Sequence, residues 1–469
     1  MLKIYNTYSR SLEIFQSIKP DQVGFYACGP TVYDEAHIGN FRTYISQDLF
    51  RRVLEHLGYV VTHVVNITDV GHLTDDEDQG EDKMEKGARR LGKSVWEVSK
   101  EYLDIFQKDW RSLDLLEPTV WCKATDYIQE QIEVIQAIES KGWSYQTKDG
   151  IYFDTQKCPD YGIMSGLKIK DILAGARVDM GEKRSSTDFA LWKFSPESPK
   201  RQMEWPSPWG VGFPGWHIEC TAMSSKYLGH YFDLHGGGQD HIPIHHTNEI
   251  AQSQGAFGTS LAKYWIHTCF LNLKNEKMSK SLGNFVTLRT IKDKGFTAQE
   301  FKWFCLQAHY RKELIFSWES LKSSQISLQR LKPFMGQDLK EYPKDDPDLK
   351  EFMQHLCEDF HTPKALAVLW KVIDKPNAQI CIPAMLKILG ITQKTSHSQK
   401  VIEMSSEIKE QCRLRLEAKL HKNWKESDRL RDDLMSQGYE VSDTTFPHFI
   451  LKKEGTIVWS TEGYDQSSS

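Results

Sequence analysis

The stretch VGFYACGPTVYDEAHIGNFRTYISQDLFRRVLEHLGYVVTHVVN, residues 23–66, decides the fold of this chain. Its first five residues form a short apolar run that is typical of a buried strand. From Phe41 to Leu57, apolar residues recur at every fourth position, which predicts a helix packed on a sheet. The β-branched run at 59–66 then predicts a second strand. Strand, helix and strand in this order form a βαβ unit, so we expect a parallel sheet and an α/β fold.

The composition limits the classes of protein to consider. A chain of 469 residues is long for one hydrophobic core, so we expect several domains. It contains no apolar run of the roughly 18 residues that a membrane span needs, and its N-terminus lacks the features of a signal peptide. We therefore expect a cytoplasmic protein without a membrane partner. The net charge of −5 argues against bulk nucleic-acid binding, and the nine scattered cysteines do not form a disulfide framework.

One apparent motif is rejected on its context. Residues 87–94 read GARRLGKS, which matches the phosphate loop of many nucleotide-binding proteins. That loop works only between a buried strand and a helix, whereas the preceding DQGEDKMEK is too polar for a buried strand. We interpret this segment as helical and without a role in phosphate binding.

Two other segments are suited to phosphate chemistry. CGPTVYDEAHIGN (28–40) lies between the first predicted strand and helix, at the edge where open α/β sheets bind ligands. His37 and Gly39 fall at the start of the helix, where free N–H groups favour phosphate, although a structural cap is an equal alternative. Far downstream, EKMSKSLGNF (276–285) places Lys277 and Lys280 in a cationic loop suited to phosphate oxygens, with a solvated basic loop as the alternative.

In combination these two segments resemble the signatures of the class I aminoacyl-tRNA synthetases. Further segments resemble the cysteinyl-tRNA synthetase family over nearly the whole chain: YACGPTVYD (26–34), NITDV (66–70), DFALWK (188–193), GWHIECTAM (215–223), DLHGGGQD (233–240), HHTNEIAQSQ (245–254), EDFHTPKALAVL (358–369) and KNWKESDRLRDDLMSQGY (422–439). The sequence departs from the family at Asn40, which replaces a histidine, and at Thr247, which replaces a glutamate. It also departs in GHLTDDEDQG (71–80) and in the C-terminal tail.

The resemblance implies that the chain activates L-cysteine with Mg-ATP and transfers it to tRNA(Cys). It implies ATP contacts by His37, Gly39, Asn40, Lys277 and Lys280, among which His37 and the two lysines are catalytic. It also implies a cysteine pocket that is lined by Thr68, Trp216, His235 and Asp240. A core aromatic is the equal alternative for Trp216. We expect a monomer.

The resemblance further implies one zinc ion per subunit, held by Cys28, Cys220, His245 and Glu249. These are ordinary zinc ligands, and His245 and Glu249 are four residues apart, so they share one helix face. His246 is a competing ligand because it lies three residues from Glu249. Zinc binds a thiolate readily, whereas a pocket of shape alone rejects serine by only about 10²-fold.

The same resemblance gives the domain organisation: a Rossmann-like parallel-sheet catalytic domain split by an insert, a helical bundle and a small C-terminal domain. The predicted boundaries are 1–115 and 209–290 for the catalytic halves, 116–208 for the connective insert, 291–335 for a stem-contact linker, 336–400 for the bundle and 401–469 for the anticodon-recognition domain.

A basic segment in the last domain is predicted to contact the anticodon loop, with Trp424 nearby for base stacking. A solvated helix is the alternative, because acidic residues are interleaved with the basic ones. The basic residues are Lys409, Arg413, Arg415, Lys419, Lys422, Lys425, Arg429 and Arg431. Two other functions stay open at this point: a related ligase that joins cysteine to an amino-sugar, and a non-catalytic synthetase-like RNA-binding protein.

Overall fold

The computed structural model describes residues 1–72, 82–166, 182–196, 200–273, 285–337, 343–392, 406–443, 449–453 and 456–460. The chain divides into two compact units, Met1–Gln393 and Lys394–Ser469. The first unit takes in the predicted catalytic halves, the insert, the linker and most of the bundle. Within the described ranges, none of the helices combines the length and the apolar character that crossing a membrane would require.

The secondary-structure elements are numbered in chain order. The strands are β1 (Lys3–Asn6), β2 (Ser11–Ile14), β3 (Gln22–Ala27), β4 (Val60–Ile67), β5 (Val120–Lys123), β6 (Ser144–Gln146), β7 (Gly150–Phe153), β8 (Phe189–Phe194), β9 (Gly212–Pro214), β10 (Tyr231–Gly238), β11 (Leu261–Thr268), β12 (Leu271–Leu273), β13 (Leu314–Phe316), β14 (Glu440–Asp443), β15 (Phe449–Lys453) and β16 (Thr456–Ser460). The helices are α1 (Ile38–His56), α2 (Lys83–Leu91), α3 (Val95–Ser112), α4 (Ile128–Ser140), α5 (Trp216–Leu228), α6 (His245–Phe257), α7 (Leu288–Asp293), α8 (Ala298–Leu306), α9 (Trp318–Gln329), α10 (Pro347–Leu356), α11 (Thr362–Val372), α12 (Ala378–Ile388), α13 (Ser406–Leu420) and α14 (Trp424–Ser436).

A five-stranded parallel sheet in the order β11–β10–β3–β4–β5 forms the centre of the first unit. The predicted βαβ unit is therefore confirmed as β3, α1 and β4. Helix α1 buries Phe41, Ile45, Leu49 and Val53 against the core, as the period of four predicts. Leu57 caps the helix end and is 40% exposed, so the apolar stripe ends one turn earlier than predicted.

The insert forms its own antiparallel sheet in the order β6–β7–β8–β9. Its limits differ from the predicted 116–208. Strand β5 pairs with β4 in the parallel sheet, and the insert sheet continues to Pro214. A strand of four residues does not show in its own pattern which sheet it joins, because its burial depends on its neighbours.

The second unit packs α13 and α14 together with a small antiparallel sheet in the order β14–β15–β16. Its core contains Ile408, Cys412, Leu416, Leu434 and Tyr439. The unit begins at Lys394, seven residues before the predicted boundary at 401.

Candidate active site and metal centre

The candidate site lies where the order of the central strands reverses. Strands β3 and β10 are neighbours, but the chain continues from β3 to one side of the sheet and from β10 to the other. A crevice opens at the carboxyl ends of two such strands, and ligands of open α/β sheets bind there. A cavity of about 390 Å³ occupies this position. Its lining includes Cys28, Gly29, Asp34, His37, Asn40, Asn66, Thr68, Trp216, Cys220, Asp240, His245 and Phe285.

His37 is the N-cap of α1 and also lines the cavity. Its Nδ1 accepts hydrogen bonds from the backbone N–H of Gly39 (3.0 Å) and Asn40 (3.3 Å). Asn40 Oδ1 accepts the N–H of His37 at 3.0 Å and completes a capping box. Because Nδ1 is an acceptor, the neutral imidazole carries its proton on Nε2, which makes Nε2 a donor. Asn40 therefore replaces the family's histidine with a residue that fixes the cap.

Gly39 is required by that cap. A Cβ atom at this position would lie 2.7 Å from the His37 ring. The glycine therefore makes room for the imidazole. Lys277 and Lys280, the two predicted catalytic lysines, lie outside the described residues. Phe285 follows that segment and packs edge-on against His37, with ring centroids 5.3 Å apart.

Three elements bring the predicted metal ligands together. Cys28 follows the end of β3, Cys220 lies on α5, and His245 and Glu249 lie one turn apart on α6. All four side chains are buried, and their ligating atoms lie within 4.8 Å of one another. Four donors around one tetrahedral zinc ion are roughly 3.3–3.8 Å apart, so small side-chain rotations suffice to close this set.

A second set of four shares two of these ligands. Cys28 and Glu249 also lie within 4.8 Å of His235 and His246. His246 Nε2 faces Cys28 Sγ at 3.3 Å, and its Nδ1 faces His267 Nε2 at 2.7 Å. The competition between His245 and His246 that the sequence left open is thus present in the structure. The two sets differ in access, because Cys220 and His245 line the cavity and His235 and His246 do not.

The charges in the cluster favour a cation. Burial acts to raise the pKa of Cys220, but hydrogen bonds with Cys28 and His245 outweigh it and lower that pKa to about 7. Burial likewise acts to raise the pKa of Glu249, but His235 and His245 lower it to about 2. Burial and the hydrogen bond to Cys220 raise the pKa of Cys28. A thiolate and a carboxylate are therefore available as anionic ligands.

The carboxylate of Glu249 supplies a test of whether these residues fit a metal. Its Oε2 pairs with His235 Nε2 at 2.7 Å. Its Oε1 is buried and accepts no well-directed hydrogen bond, although His245 Nε2 lies 3.0 Å away. A buried carboxylate oxygen without such a bond is costly unless a cation completes its environment. The donor set therefore fits a zinc ion.

The predicted cysteine-pocket residues fall into two groups. Thr68, Trp216 and Asp240 line the cavity. Trp216 is half-buried and packs against His245, with ring centroids 4.6 Å apart, so it is not a core aromatic. His235 is completely buried, stacks on Trp265 and bonds Glu249, so it supports the metal cluster from behind and does not line the cavity.

Three polar residues near Thr68 had no predicted role. Asn66 lines the cavity, while Glu219 and His72 lie behind it. Glu219 was quoted within GWHIECTAM without a role. Its signal was a carboxylate in the first turn of a helix whose residues 217–224 are all buried. Such a charge needs specific partners.

The rejected phosphate-loop motif joins two helices. Its first residues belong to α2, Gly92 is the left-handed C-cap with φ of 63°, and Ser94 is the N-cap of α3. The side chain of Lys93 is paired with Glu101. This agrees with the helical interpretation of the segment.

Four of the eight basic residues in the basic segment of the second unit form ion pairs. Arg415 and Lys419 are buried, and both bind Asp443 Oδ1 at 2.9 Å, so they hold α13 to β14. Arg413 and Arg429 form ion pairs with acidic residues of their own helices. The side chain of Lys409 lies outside the described part of the chain. Lys422 and Lys425 remain exposed beside Trp424, which is 52% exposed.

Comparison with known proteins extends these observations. Residues 14–326 match the family model described as tRNA synthetases class I (C) catalytic domain. Cysteine–tRNA ligase 1 of Burkholderia lata is 49% identical over 450 residues, covering 94% of this chain and 95% of the relative. Cysteine–tRNA ligase of Treponema denticola is 42% identical over 482 residues, covering 94% of this chain and 98% of the relative.

Among solved structures, methionyl-tRNA synthetase of Mycobacterium tuberculosis in complex with methionyl-adenylate is similar, with a TM-score of 0.52 and 13% identity. The match covers 78% of this chain and 88% of that one. This likeness concerns the fold alone.

Proposed function

Because the chain belongs to the class I cysteinyl-tRNA synthetase family, we propose that its cavity is where L-cysteine is activated and that a zinc ion selects the thiol. The chain is a cysteine–tRNA ligase. It converts L-cysteine and Mg-ATP to cysteinyl-adenylate and pyrophosphate, then transfers cysteine to the 3′-terminal adenosine of tRNA(Cys) and releases AMP. An amino-sugar ligase lacks a full anticodon-binding end, whereas the relatives match 94% of this chain.

One observation carries the choice of zinc ligands. A substrate thiol must reach the metal, and Cys28, Cys220 and His245 line the cavity while His235 and His246 do not. We therefore assign the ion to Cys28, Cys220, His245 and Glu249. His235 then acts on the ligand Glu249 through the 2.7 Å contact, as outer partners of metal ligands commonly do.

Zinc held by these residues would supply a borderline-soft Lewis acid that suits a thiolate sulfur, and a serine hydroxyl ionises far less readily. This chemistry explains how the site distinguishes two amino acids that differ by one atom. Shape alone would give about 10²-fold discrimination.

The other cavity residues orient the substrates. Trp216 packs on His245 and forms an apolar wall beside the thiol position. The carboxylate of Asp240 lies at the mouth and favours the cationic α-ammonium group. His37 offers an Nε2 donor to phosphate oxygens at the start of α1, and Lys277 and Lys280 stabilise the charge that develops on the phosphates.

We assign the anticodon contacts to the second unit, at the exposed Lys422, Trp424 and Lys425. Exposed lysines bind phosphates and an exposed indole stacks on loop bases. We further propose that the enzyme acts as a monomer in the cytoplasm.

The test is ATP–pyrophosphate exchange with cysteine or serine, followed by charging of tRNA(Cys). We expect exchange with cysteine only, and charging of tRNA(Cys) but not of an amino-sugar. Lys280→Ala should lower adenylate formation by about 10²–10³-fold, the scale of losing one donor to a transition state. An unchanged exchange rate in that variant would contradict the role of Lys280. Equal exchange with serine would contradict thiol selection.

A further inference from the structure

A buried carboxylate lies directly behind the wall of the cysteine pocket. Glu219 is 0% exposed and does not line the cavity. Its Oε2 accepts the hydroxyl of Thr68 at 2.9 Å, and its Oε1 lies 2.5 Å from His72 Nε2. The proton of that short pair lies between Oε1 and Nε2, so Oε2 stays an acceptor for Thr68 in either placement.

The direction of each hydrogen bond around Thr68 follows from its neighbours. The backbone N–H of Gly29 donates to Asn66 Oδ1 at 2.8 Å. The amide of Asn66 is thereby oriented, and its Nδ2 donates to Thr68 Oγ1 at 3.1 Å. The hydroxyl thus gives its single proton to Glu219 and one lone pair to Asn66. A hydroxyl has two lone pairs, so the remaining one is available toward the cavity.

We propose that Glu219 is a positioning residue that, through Thr68, makes this hydroxyl an obligate acceptor for the α-ammonium group of the substrate cysteine. The inference rests on the proposed function, which places Thr68 in the cysteine pocket. Of the three polar groups of cysteine, the ammonium group has only donors, while the carboxylate and a thiolate sulfur have no proton to give. An acceptor at Thr68 therefore selects the ammonium group.

The position of Glu219 in the chain relates the site for the substrate's ammonium group to the site for its sulfur. Glu219 and Cys220 are consecutive on α5, and one orients Thr68 while the other belongs to the metal cluster. The same helical turn therefore fixes where the ammonium group and the sulfur lie. This arrangement defines which way round cysteine enters the cavity.

The experiment compares variants by pyrophosphate exchange. Glu219→Met retains volume but cannot accept a hydrogen bond, and Glu219→Gln retains an acceptor. We expect Glu219→Met to raise the cysteine KM by roughly 10–100-fold, the effect of one hydrogen bond to a charged group. The ATP KM, zinc content and kcat should change little, because the ammonium contact is present in ground and transition states alike. Glu219→Gln should stay within about threefold of wild type.

Two further measurements separate positioning from support of the fold. Thr68→Val should raise the cysteine KM itself, and adding Glu219→Met to it should cause little further change, because residues that act through one another are not additive. Binding of 3-mercaptopropionate, which has no ammonium group, should be the same in wild type and Glu219→Met. Asp188→Leu is the matched control. Asp188 is buried and does not line the cavity, and its Oδ1 accepts a hydrogen bond of 2.7 Å from the Thr155 hydroxyl. Its loss should lower stability without raising the cysteine KM.

The outcomes are distinguishable. If Thr68→Val leaves the cysteine KM unchanged, the pocket assignment in the proposed function fails. If Thr68→Val raises the KM but Glu219→Met does not, or if the two effects multiply, the role of Glu219 is refuted. Weaker binding of 3-mercaptopropionate to Glu219→Met would refute it as well. If Glu219→Met does not unfold cooperatively, Glu219→Asp replaces it, because one methylene less prevents contact with Thr68 and His72 together.

Discussion

Cys220→Ser tests the metal centre most directly. Binding of a structural zinc by four ligands contributes about 10–16 kcal/mol, so one thiolate contributes roughly 2.5–4 kcal/mol, or about 10²–10³-fold in affinity. The estimate suits this site because the four ligating atoms are within 4.8 Å of one another and buried. A serine hydroxyl at the same place keeps the shape but is a far weaker ligand.

The assay is zinc content after dialysis against a chelator, together with pyrophosphate exchange on the same samples. Cys122→Ser is the matched control, because Cys122 and Cys220 are each 1% exposed and share one core cluster, but Cys122 is not a candidate ligand. We expect Cys220→Ser to lose both zinc and cysteine activation and Cys122→Ser to retain them. One tightly bound zinc per chain and normal exchange in Cys220→Ser would refute the assignment. Loss of zinc in His246→Gln but not in His245→Gln would move the ion to the second set.

Further predictions concern other parts of the molecule. Lys93→Ala should leave the ATP KM at the wild-type value in pyrophosphate exchange, because Lys93 is paired with Glu101 between two helices; a large rise would restore the phosphate-loop reading. Asp48→Asn should lower the free energy of unfolding by about 3–5 kcal/mol in urea titrations, because it leaves Lys302, whose Nζ lies 2.9 Å from Asp48 Oδ2, buried without a counter-charge. Lys302 and Arg52 outweigh burial and lower the pKa of Asp48 to about 2, so its contribution is complete above the unfolded pKa near 4 and is lost as the pH falls toward 2. The Asn variant should lack this step in acid unfolding, and equal acid unfolding curves would contradict the argument. A chain that ends at Gln393 should keep pyrophosphate exchange but charge tRNA(Cys) poorly, mainly through a higher KM for tRNA. The double variant Lys422→Glu with Lys425→Glu should have the same effect on charging in the full chain. Arg415→Met should instead lower the stability of the second unit, because Arg415 is buried. Near-normal charging by both the shortened chain and the double variant would place the anticodon contacts elsewhere.

The features that depend on the local sequence pattern were predictable from the sequence. The period of four in α1 and the β-branched run of β4 specify the βαβ unit, because burial of one helix face and of a central strand is recorded in consecutive residues. The family motifs then located the four candidate ligands, which lie in three separate segments. His245 and Glu249 were paired correctly on one helix face, since a separation of four residues fixes their proximity.

The roles of residues that depend on tertiary packing were not predictable from the sequence. The resemblance implied His245 as the ligand and left His246 as a competitor, and the cavity at the reversal between β3 and β10 is lined by His245 but not by His246. It placed His235 in the pocket and Arg415 on a tRNA-binding face, although both are buried against partners far along the chain, Trp265 and Asp443. It gave no role to Glu219, whose partners Thr68 and His72 are about 150 residues away. Local sequence thus determined the helices, the strands and the supply of ligands, because their rules act over a few neighbouring residues. The tertiary structure alone decided which side chains face the cavity and which are buried behind it, because that depends on how β3, α5 and α6 pack together.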